Sequence, residues 1–138
     1  MGTAPVALVT GSTSGIGAAI GRRLCADGYA VVLHSRSSVD TGRAMAAELG
    51  RAAYLQADLA IDADCVRLVR EAVALWGRLD LLVNNAGISR VVPHGDLQAA
   101  TPQIWQELHE VNVIAPFRLI AEAQGALEAA AGCVVNVS

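Results

Sequence analysis

The sequence predicts an α/β protein with a parallel sheet that is covered by helices on both faces. Short apolar runs alternate along the chain with segments in which apolar residues recur at helical spacing. Most of the runs lack an alternation of apolar and polar residues, as expected of parallel strands that are buried on both faces. A glycine-rich stretch follows the first run directly, which is typical of the turn that joins a strand to a helix.

Composition narrows the class of protein. The chain has 138 residues, of which 54% are hydrophobic and 17% are charged, and this fits one globular domain with a core of its own. The net charge of −3 offers no basic surface for nucleic acid, and no apolar stretch has the length of a membrane helix. We therefore expect a small-molecule partner rather than nucleic acid or a membrane.

The three cysteines, Cys25, Cys65 and Cys133, lie far apart, without a Cys-x-x-Cys pair or a neighbouring histidine. This spacing predicts neither a disulfide framework nor a metal site. We expect buried, reduced thiols, which fits a cytoplasmic protein.

The first predicted strand, Val6–Val9, leads into the stretch Thr10-Gly11-Ser12-Thr13-Ser14-Gly15-Ile16-Gly17. Gly11 permits the positive φ of a tight exit from the strand, and Gly15 and Gly17 leave room for backbone and ligand to approach closely. The helix that follows presents free N–H groups and the positive end of its dipole, and the residues between the first two glycines add three hydroxyls. The expected occupant is a pyrophosphate, and the alternative is a glycine turn without a ligand.

A helix is predicted from Ile16 to Gly28, followed by a second strand over 30–33 and a polar cluster over 34–38. Arg36 in this cluster stands where the adenosine ribose of a dinucleotide would lie. A guanidinium pairs with a 2′-phosphate, which a carboxylate would repel, so this residue favours NADP over NAD. The alternative is an ordinary solvated loop charge.

The next elements follow at regular intervals. They are a helix over 39–49 closed by Gly50, a strand over 52–57 ending at Asp58-Leu59, and a helix over 65–76 closed by Gly77. The apolar residues of the last helix form one stripe, so we expect Cys65 and Trp76 to be buried against the sheet.

A fourth strand over 79–83 runs into Asn84-Asn85-Ala86-Gly87. Asparagine amides can tie neighbouring strand ends together, and Ala-Gly leaves space for a ribose or nicotinamide beside the backbone. A polar loop over 88–100 follows, and we expect it to line the entrance to a substrate cleft. His94 in this loop is interpreted as a solvated side chain rather than a base.

Thr101-Pro102 predicts the N-cap and first-turn proline of one long helix that extends to Leu127. Pro116 lies inside this helix and has no N–H, so the carbonyl of Asn112 loses its helical donor. Asn112 is open to two interpretations, a role for the freed carbonyl or a simple kink beside a surface side chain. A fifth apolar strand over 132–138 closes the chain.

The glycine spacing at 10–17 and the tetrapeptide at 84–87 resemble, in this order and on these elements, the motifs of the classical short-chain dehydrogenases/reductases. The resemblance covers residues 4–138. It implies a Rossmann-type doubly wound parallel sheet in strand order 3-2-1-4-5, with three layers, and a dinucleotide-binding domain over 1–138. The cofactor-binding residues that it implies for NADP are Gly11, Ser12, Ser14, Gly15, Ile16, Gly17, Arg36, Asp58, Leu59, Asn85, Ala86 and Gly87.

The resemblance also assigns roles within this set. Asp58 and the backbone that follows it would contact the adenine, and Asn85 to Gly87 would lie beside the nicotinamide. Asn112 would be the catalytic-site residue whose main chain holds a water of a proton relay. For Asp58 the alternative is a loop residue without a ligand.

The family's chemistry uses a serine after the fifth strand, a tyrosine, and a lysine four residues after that tyrosine. This chain has no lysine, its two tyrosines are Tyr29 and Tyr54 in predicted strands, and Ser138 stands one residue before the usual catalytic serine. A domain seldom ends on an apolar strand, so we expect the amino-terminal part of a longer oxidoreductase that lacks the carboxy-terminal half.

The complete enzyme would interconvert a carbonyl and an alcohol and would be a homo-oligomer, as the family usually is. The alternative is a nucleotide-binding module or inactive fragment without catalysis, because the chain contains no Tyr-x-x-x-Lys. A nucleotide-sugar epimerase is disfavoured by the spacing of the glycines.

Overall fold

A computed structural model describes residues 3–138 and confirms the predicted sheet. Five parallel strands pair in the order β3-β2-β1-β4-β5. They are β1 (Val6–Val9), β2 (Ala30–Ser35), β3 (Ala52–Gln56), β4 (Leu81–Asn84) and β5 (Cys133–Asn136). Val9 is in register with Leu33 on one side and with Val83 on the other, so the carboxyl ends of the three central strands meet at one edge.

Within residues 3–138, five α-helices complete a three-layer molecule. They are α1 (Gly15–Ala26), α2 (Val39–Leu49), α3 (Asp62–Trp76), α4 (Pro102–His109) and α5 (Ala115–Ala130). Alternate residues of the buried strands serve the two faces of the sheet, because successive side chains of a strand point to opposite sides. Ala7 and Val31 pack with α1 and α2, whereas Leu8 and Val32 pack with α3 and α5.

The predicted helix ends are confirmed where glycine or a cap defines them. Gly50 and Gly77 follow α2 and α3 with φ of 80° and 73°, which other residues rarely adopt. The Thr101 hydroxyl accepts the N–H of Ile104 at 3.4 Å and so caps α4. Within residues 3–138 no helix combines the length and the apolar character needed to cross a bilayer.

Several predicted boundaries were wrong, including the starts of β4 and α3, and two of the differences bear on the cavity. Strand β2 does not stop at Leu33 but continues through His34 and Ser35, because both polar side chains find hydrogen-bond partners inside the protein. The single long helix is in fact two helices, α4 and α5, joined by a π-helical turn over Glu110–Ile114. Within that turn the N–H of Ala115 reaches back five residues to the carbonyl of Glu110.

Two predictions of burial also require correction. Trp76 is 37% exposed, because it lies at the amino-terminal edge of the sheet beside Thr3 and Ala30, where the strands no longer cover it. Cys65 is buried as expected, but Cys25 is only partly buried and Cys133 is exposed.

Candidate nucleotide-binding site

A cavity of about 520 Å³ opens at the carboxyl ends of the strands. It lies where the strand order reverses, with β2 and β4 on opposite sides of β1, which is the usual ligand position in an open α/β sheet. Its volume falls within the range of small-molecule sites. The lining residues are Gly11, Ser14, Ile16, His34, Ser35, Arg36, Ala57, Asp58, Leu59, Ala60, Asn85, Ala86, Gly87, Ile88, Glu107 and Val111.

The structure therefore brings nine of the thirteen sequence-predicted site residues to one cavity. They are Gly11, Ser14, Ile16, Arg36, Asp58, Leu59, Asn85, Ala86 and Gly87. Ser12, Gly15, Gly17 and Asn112 do not line it. Their places in the fold explain why each is nevertheless close to the site.

The glycines of the first turn are required by geometry. Gly11 and Gly15 have φ of +60° and +55°, in the left-handed region that favours glycine. A Cβ on Gly11 would stand 2.9 Å from the Cα of Ala86, and one on Gly17 would stand 2.2 Å from the carbonyl oxygen of Gly11. Side chains at Gly11 and Gly17 would thus fill the space through which the turn, the helix and β4 approach one another.

Thr10 and Asn85 tie the first turn to the end of β4. The Thr10 hydroxyl accepts the N–H groups of Asn85 at 3.1 Å and of Ala86 at 3.0 Å. The Asn85 amide Nδ2 donates to the carbonyls of Thr10 at 3.1 Å and of Gly11 at 3.0 Å. These bonds hold the glycine turn and the Asn-Ala-Gly segment as one rigid floor beneath the cavity.

Ser12, which the sequence predicts as a cofactor ligand, makes hydrogen bonds within the protein. It is fully buried, and its hydroxyl donates to the carbonyl of Val9 at 2.7 Å while accepting the N–H of His34 at 2.9 Å. Its own N–H donates to the carbonyl of His34 at 2.9 Å. Because its hydroxyl and N–H are bonded within the protein, Ser12 holds the turn against β2.

The imidazole of His34 occupies the space between the glycine turn and the end of β3. Its Nδ1 accepts the N–H of Gly11 at 3.0 Å, and its Nε2 lies 2.9 Å from the carbonyl oxygen of Ala57. Burial lowers the pKa of His34, the hydrogen bond to Ala57 opposes this shift, and the charge of Arg67 adds to it. The ring is therefore neutral at physiological pH.

The turn after β2 is held by side chains from β3. The hydroxyls of Ser35 and Tyr54 lie 2.5 Å apart, and the amide of Gln56 donates to the carbonyl of Arg36 at 2.8 Å. The Tyr54 ring lies over Gly42, where a Cβ would approach it to 2.2 Å. The backbone of Arg36 is thus fixed, while within residues 3–138 its guanidinium has no ion pair or hydrogen-bond partner.

The segment after β3 is fixed from below by α3. The N–H of Asp58 donates to the carboxylate of Asp64 at 2.7 Å, and the Cys65 thiol donates to the carbonyl of Leu59 at 3.5 Å. Burial raises the pKa of Cys65 to about 11, and the carboxylate of Asp62 contributes to the shift, so the thiol keeps its proton. One oxygen of Asp58 accepts the N–H of Ala60, which leaves the other free to face the cavity.

Asn112 lies in the π-helical turn and is exposed at the side of the cavity. Its Oδ1 accepts the N–H of Ile88 and its Nδ2 donates to the carbonyl of Ile88, both at 2.8 Å. The side chain therefore clamps the segment that follows Gly87. At the same rim Arg90 forms a close ion pair with Glu107.

Sequence reasoning missed three features that line or support the cavity wall: His34, the Ser35–Tyr54 pair and Glu107. His34 and Ser35 were assigned to a loop because polar residues end an apolar run, and only their distant partners reveal that they belong to the strand. For Tyr54 the sequence did contain a signal. Gly42 lies twelve residues before it in the neighbouring helix α2, and a glycine there leaves space for the tyrosine ring to pack against the helix.

The cavity fits a dinucleotide. Gly11 and Gly17 allow the turn, α1 and β4 to pack closely beneath it, and Ser14 and Ile16 at the start of α1 line it. Arg36, whose guanidinium has no ion-pair partner within residues 3–138, also lines it. The fold defines the class of protein, a Rossmann-type α/β protein with a cavity at the usual ligand position.

Comparison with known proteins gives the family. The family model described as short chain dehydrogenase matches residues 5–138. The chain belongs to the short-chain dehydrogenase/reductase family, as the motifs predicted, and is related to oxidoreductases.

Individual relatives agree with this assignment. "Granaticin polyketide synthase putative ketoacyl reductase 2" of Streptomyces violaceoruber is 52% identical over 136 residues, which are 98% of this chain and 55% of that protein. The human mitochondrial protein "dehydrogenase/reductase SDR family member 2" is 39% identical, over 96% of this chain and 48% of the relative. The chain thus spans about half the length of these relatives.

A solved structure of a metagenomic short-chain oxidoreductase in complex with NADP superposes with a TM-score of 0.87 at 37% identity, covering 97% of this chain and 62% of the other. A metagenomic blue fluorescent protein in complex with NADPH gives a TM-score of 0.86 at 38% identity, covering 96% of this chain and 54% of the other.

Proposed function

We propose that this chain is the dinucleotide-binding part of an NADP-dependent oxidoreductase that interconverts a carbonyl and an alcohol. The observation that carries the choice of cofactor is Arg36, which lines the cavity together with Ser14 and whose guanidinium has no counter-ion within residues 3–138. A 2′-phosphate would supply the missing negative charge. The NADP and NADPH complexes of two similar structures support this choice.

In this proposal each wall of the cavity binds one part of the cofactor. The pyrophosphate lies on the turn of Gly11 and the start of α1, the adenine lies beside Asp58 and Leu59, and the nicotinamide lies beside Asn85 to Gly87. When bound, the nicotinamide supplies or accepts the hydride. Asn112 supports proton transfer through its main-chain carbonyl, while its side chain fixes the wall at Ile88.

The test of cofactor choice is the variant Arg36→Ala. We expect its affinity for NADPH to fall at least tenfold, because a charge-assisted pair with a phosphate contributes about 1.5–3 kcal/mol. Affinity for NADH should change by less than about twofold, because NADH has no 2′-phosphate for the guanidinium to bind. Fluorescence titration of both reduced cofactors at fixed ionic strength measures the two constants.

Arg43→Ala is the matched control. Arg43 is an exposed arginine of α2 that does not line the cavity, so its substitution removes the same charge away from the site. It should leave both affinities unchanged. Equal losses of NADPH and NADH affinity in Arg36→Ala would exclude a role for Arg36 in reading the phosphate.

A second candidate function is a nucleotide-binding module without catalysis. The observation in its favour is that the chain has no lysine, and so no Tyr-x-x-x-Lys with which the family lowers the pKa of its tyrosine. In our proposal, catalysis requires a protein that also contains the tyrosine and lysine of this motif, and the 138 residues form its cofactor-binding domain. The two functions differ in turnover, not in cofactor affinity.

We further propose a homo-oligomer in the cytoplasm that acts on a small molecule. Support for self-association comes from Trp105 and Phe117, two large apolar side chains on α4 and α5 that are 67% and 66% exposed. Val113 between them is also exposed. The face that carries these residues is the proposed contact between subunits.

A further inference from the structure

His34 combines burial with a position in the cavity wall, which makes it unusual among the site residues. The residue is only 2% exposed, yet its ring borders the cavity. Strand β2 lies between β1 and β3, so the ring at its end stands between the glycine turn and the segment after β3. These are the two walls that hold the pyrophosphate and the adenine in the proposed function.

The hydrogen bonds of the ring define its chemical form. The Gly11 N–H can only donate, so Nδ1 must accept and carries no proton. The Ala57 carbonyl can only accept, so Nε2 must carry the proton and donate to it. His34 is therefore the neutral Nε2–H tautomer.

The same ring fixes the orientation of one peptide group in the glycine turn. In the trans Thr10–Gly11 peptide the carbonyl and the N–H point in opposite directions. The carbonyl is held by Asn85 on the β4 side at 3.1 Å, and the N–H is held by His34 on the β2 side at 3.0 Å. The peptide plane is thus clamped from both neighbouring strands.

We propose that His34 is a positioning residue of the cofactor site, which sets the glycine turn for phosphate binding by accepting the N–H of Gly11. Without this acceptor the half-buried N–H of Gly11 loses its hydrogen bond within the protein, and the peptide keeps only the bond of its carbonyl to Asn85. The link to Ala57 fixes the spacing of the adenine wall but does not orient the turn. This inference rests on the proposed function, because it is expressed as cofactor affinity.

Three substitutions separate the two halves of the ring. In His34→Asn the Oδ1 stands as many bonds from Cα as Nδ1 and can accept from Gly11, but nothing reaches Ala57. In His34→Gln the Nε2 can donate to Ala57, but nothing accepts from Gly11. His34→Leu removes both bonds, and His109→Asn, at an exposed residue of α4, controls for loss of a histidine.

Binding of NADPH is measured by nicotinamide fluorescence at pH 7.5. We expect His34→Asn and His109→Asn to stay within about threefold of wild type, and His34→Gln and His34→Leu to bind about tenfold more weakly. Wild-type affinity in His34→Gln, or equal losses in His34→Asn and His34→Leu, would overturn the proposal. A wild-type chain that does not bind NADPH would instead contradict the proposed function itself.

A measurement on the wild-type protein tests the same proposal without depending on whether the variants fold. Long-range ¹H–¹⁵N correlation spectra of histidine-labelled protein distinguish the two neutral tautomers and the charged ring. We expect an unprotonated Nδ1 and a protonated Nε2 for His34, with or without NADPH. A ring protonated on Nδ1 cannot accept from Gly11, and that result would overturn the proposal.

Discussion

At the scale of the residue, the neutral ring of His34 couples the stability of the fold to pH. Both nitrogens are engaged in the neutral form, and a proton on Nδ1 would face the Gly11 N–H. Burial is the largest cause of the lowered pKa of His34, and the nearby Arg67 adds to it. Arg36 and Asp58 are the other charged groups at the ends of β2 and β3.

The sign of this effect follows from linkage. In the unfolded chain the pKa of His34 is about 6.5, so below that pH the unfolded state binds a proton that the native state does not. The free energy of unfolding should therefore fall as the pH falls below about 6.5, until the native ring also titrates. Between pH 7.5 and 5.5 we expect wild type to lose more stability than His34→Asn, and uptake of a single proton limits the difference to about 1.4 kcal/mol. Urea unfolding at the two pH values measures the difference.

The exposed histidine of α4 provides the control. His109→Asn should show the same loss as wild type, because this variant keeps His34 and both hydrogen bonds of its ring. If the free energy of unfolding changes equally with pH in wild type and His34→Asn, the prediction is wrong. His34 would then take up its proton equally in the native and unfolded states.

At the scale of the element, the π-helical turn over Glu110–Ile114 converts a helix into part of the cavity wall. Pro116 provides no N–H for the carbonyl of Asn112, and in the turn before it the N–H of Ala115 bonds the carbonyl of Glu110, five residues back. The outward turn brings the Asn112 amide to the backbone of Ile88, where it makes two bonds of 2.8 Å.

The variant Asn112→Ala tests what this clamp does. Removing two hydrogen bonds should speed hydrogen exchange of the Ile88 amide about tenfold, since each exposed bond contributes about 0.5–1.5 kcal/mol. Affinity for NADPH should stay within about twofold, because Asn112 does not line the cavity. In a chain that also carries the family's Tyr-x-x-x-Lys, kcat should fall while the Kd of the cofactor is kept.

Gln106→Ala is the matched control, because it removes an exposed amide from α4 one turn before the π-helical turn. It should leave the exchange of Ile88 unchanged. Unaltered exchange in Asn112→Ala would assign the order of this segment to other contacts, and unaltered kcat would remove Asn112 from the proton relay.

At the scale of the whole molecule, the sequence predicted what depends on local chemistry. The apolar runs predicted the order of the strands along the chain, and the glycines at 11 and 50 predicted turns that require positive φ. Nine of the predicted site residues share a cavity because each follows a parallel strand or opens a helix at the same edge of the sheet.

What the sequence could not predict depends on partners far along the chain. Ser12 was taken for a ligand because hydroxyls in such a turn often face phosphate, whereas its bond to His34 crosses 22 residues. The π-helical turn contains Asn112, whose side chain bonds the backbone of Ile88, and lies just before Pro116. The spacing of apolar residues carries no information about this bond. Trp76 continues the apolar stripe of α3, but the spacing of that stripe does not reveal where the sheet ends. The side chain is therefore more exposed than the stripe predicts.

The last prediction concerns the 138-residue chain as a unit. If the cavity is complete for binding, NADPH at about 100 times its Kd should raise the free energy of unfolding by about 2.7 kcal/mol, since the ligand binds the native state alone. NADH at the same concentration should stabilise the chain less, and Arg36→Ala should remove the difference. The chain should nevertheless give no turnover with a small aldehyde, because it has no lysine to assist a tyrosine. Thermal unfolding measures the stabilisation and NADPH absorbance measures the turnover, both on one sample. A chain that is stabilised by NADPH and also turns over the aldehyde would contradict this prediction, and its proton donor would be a residue that the family does not use.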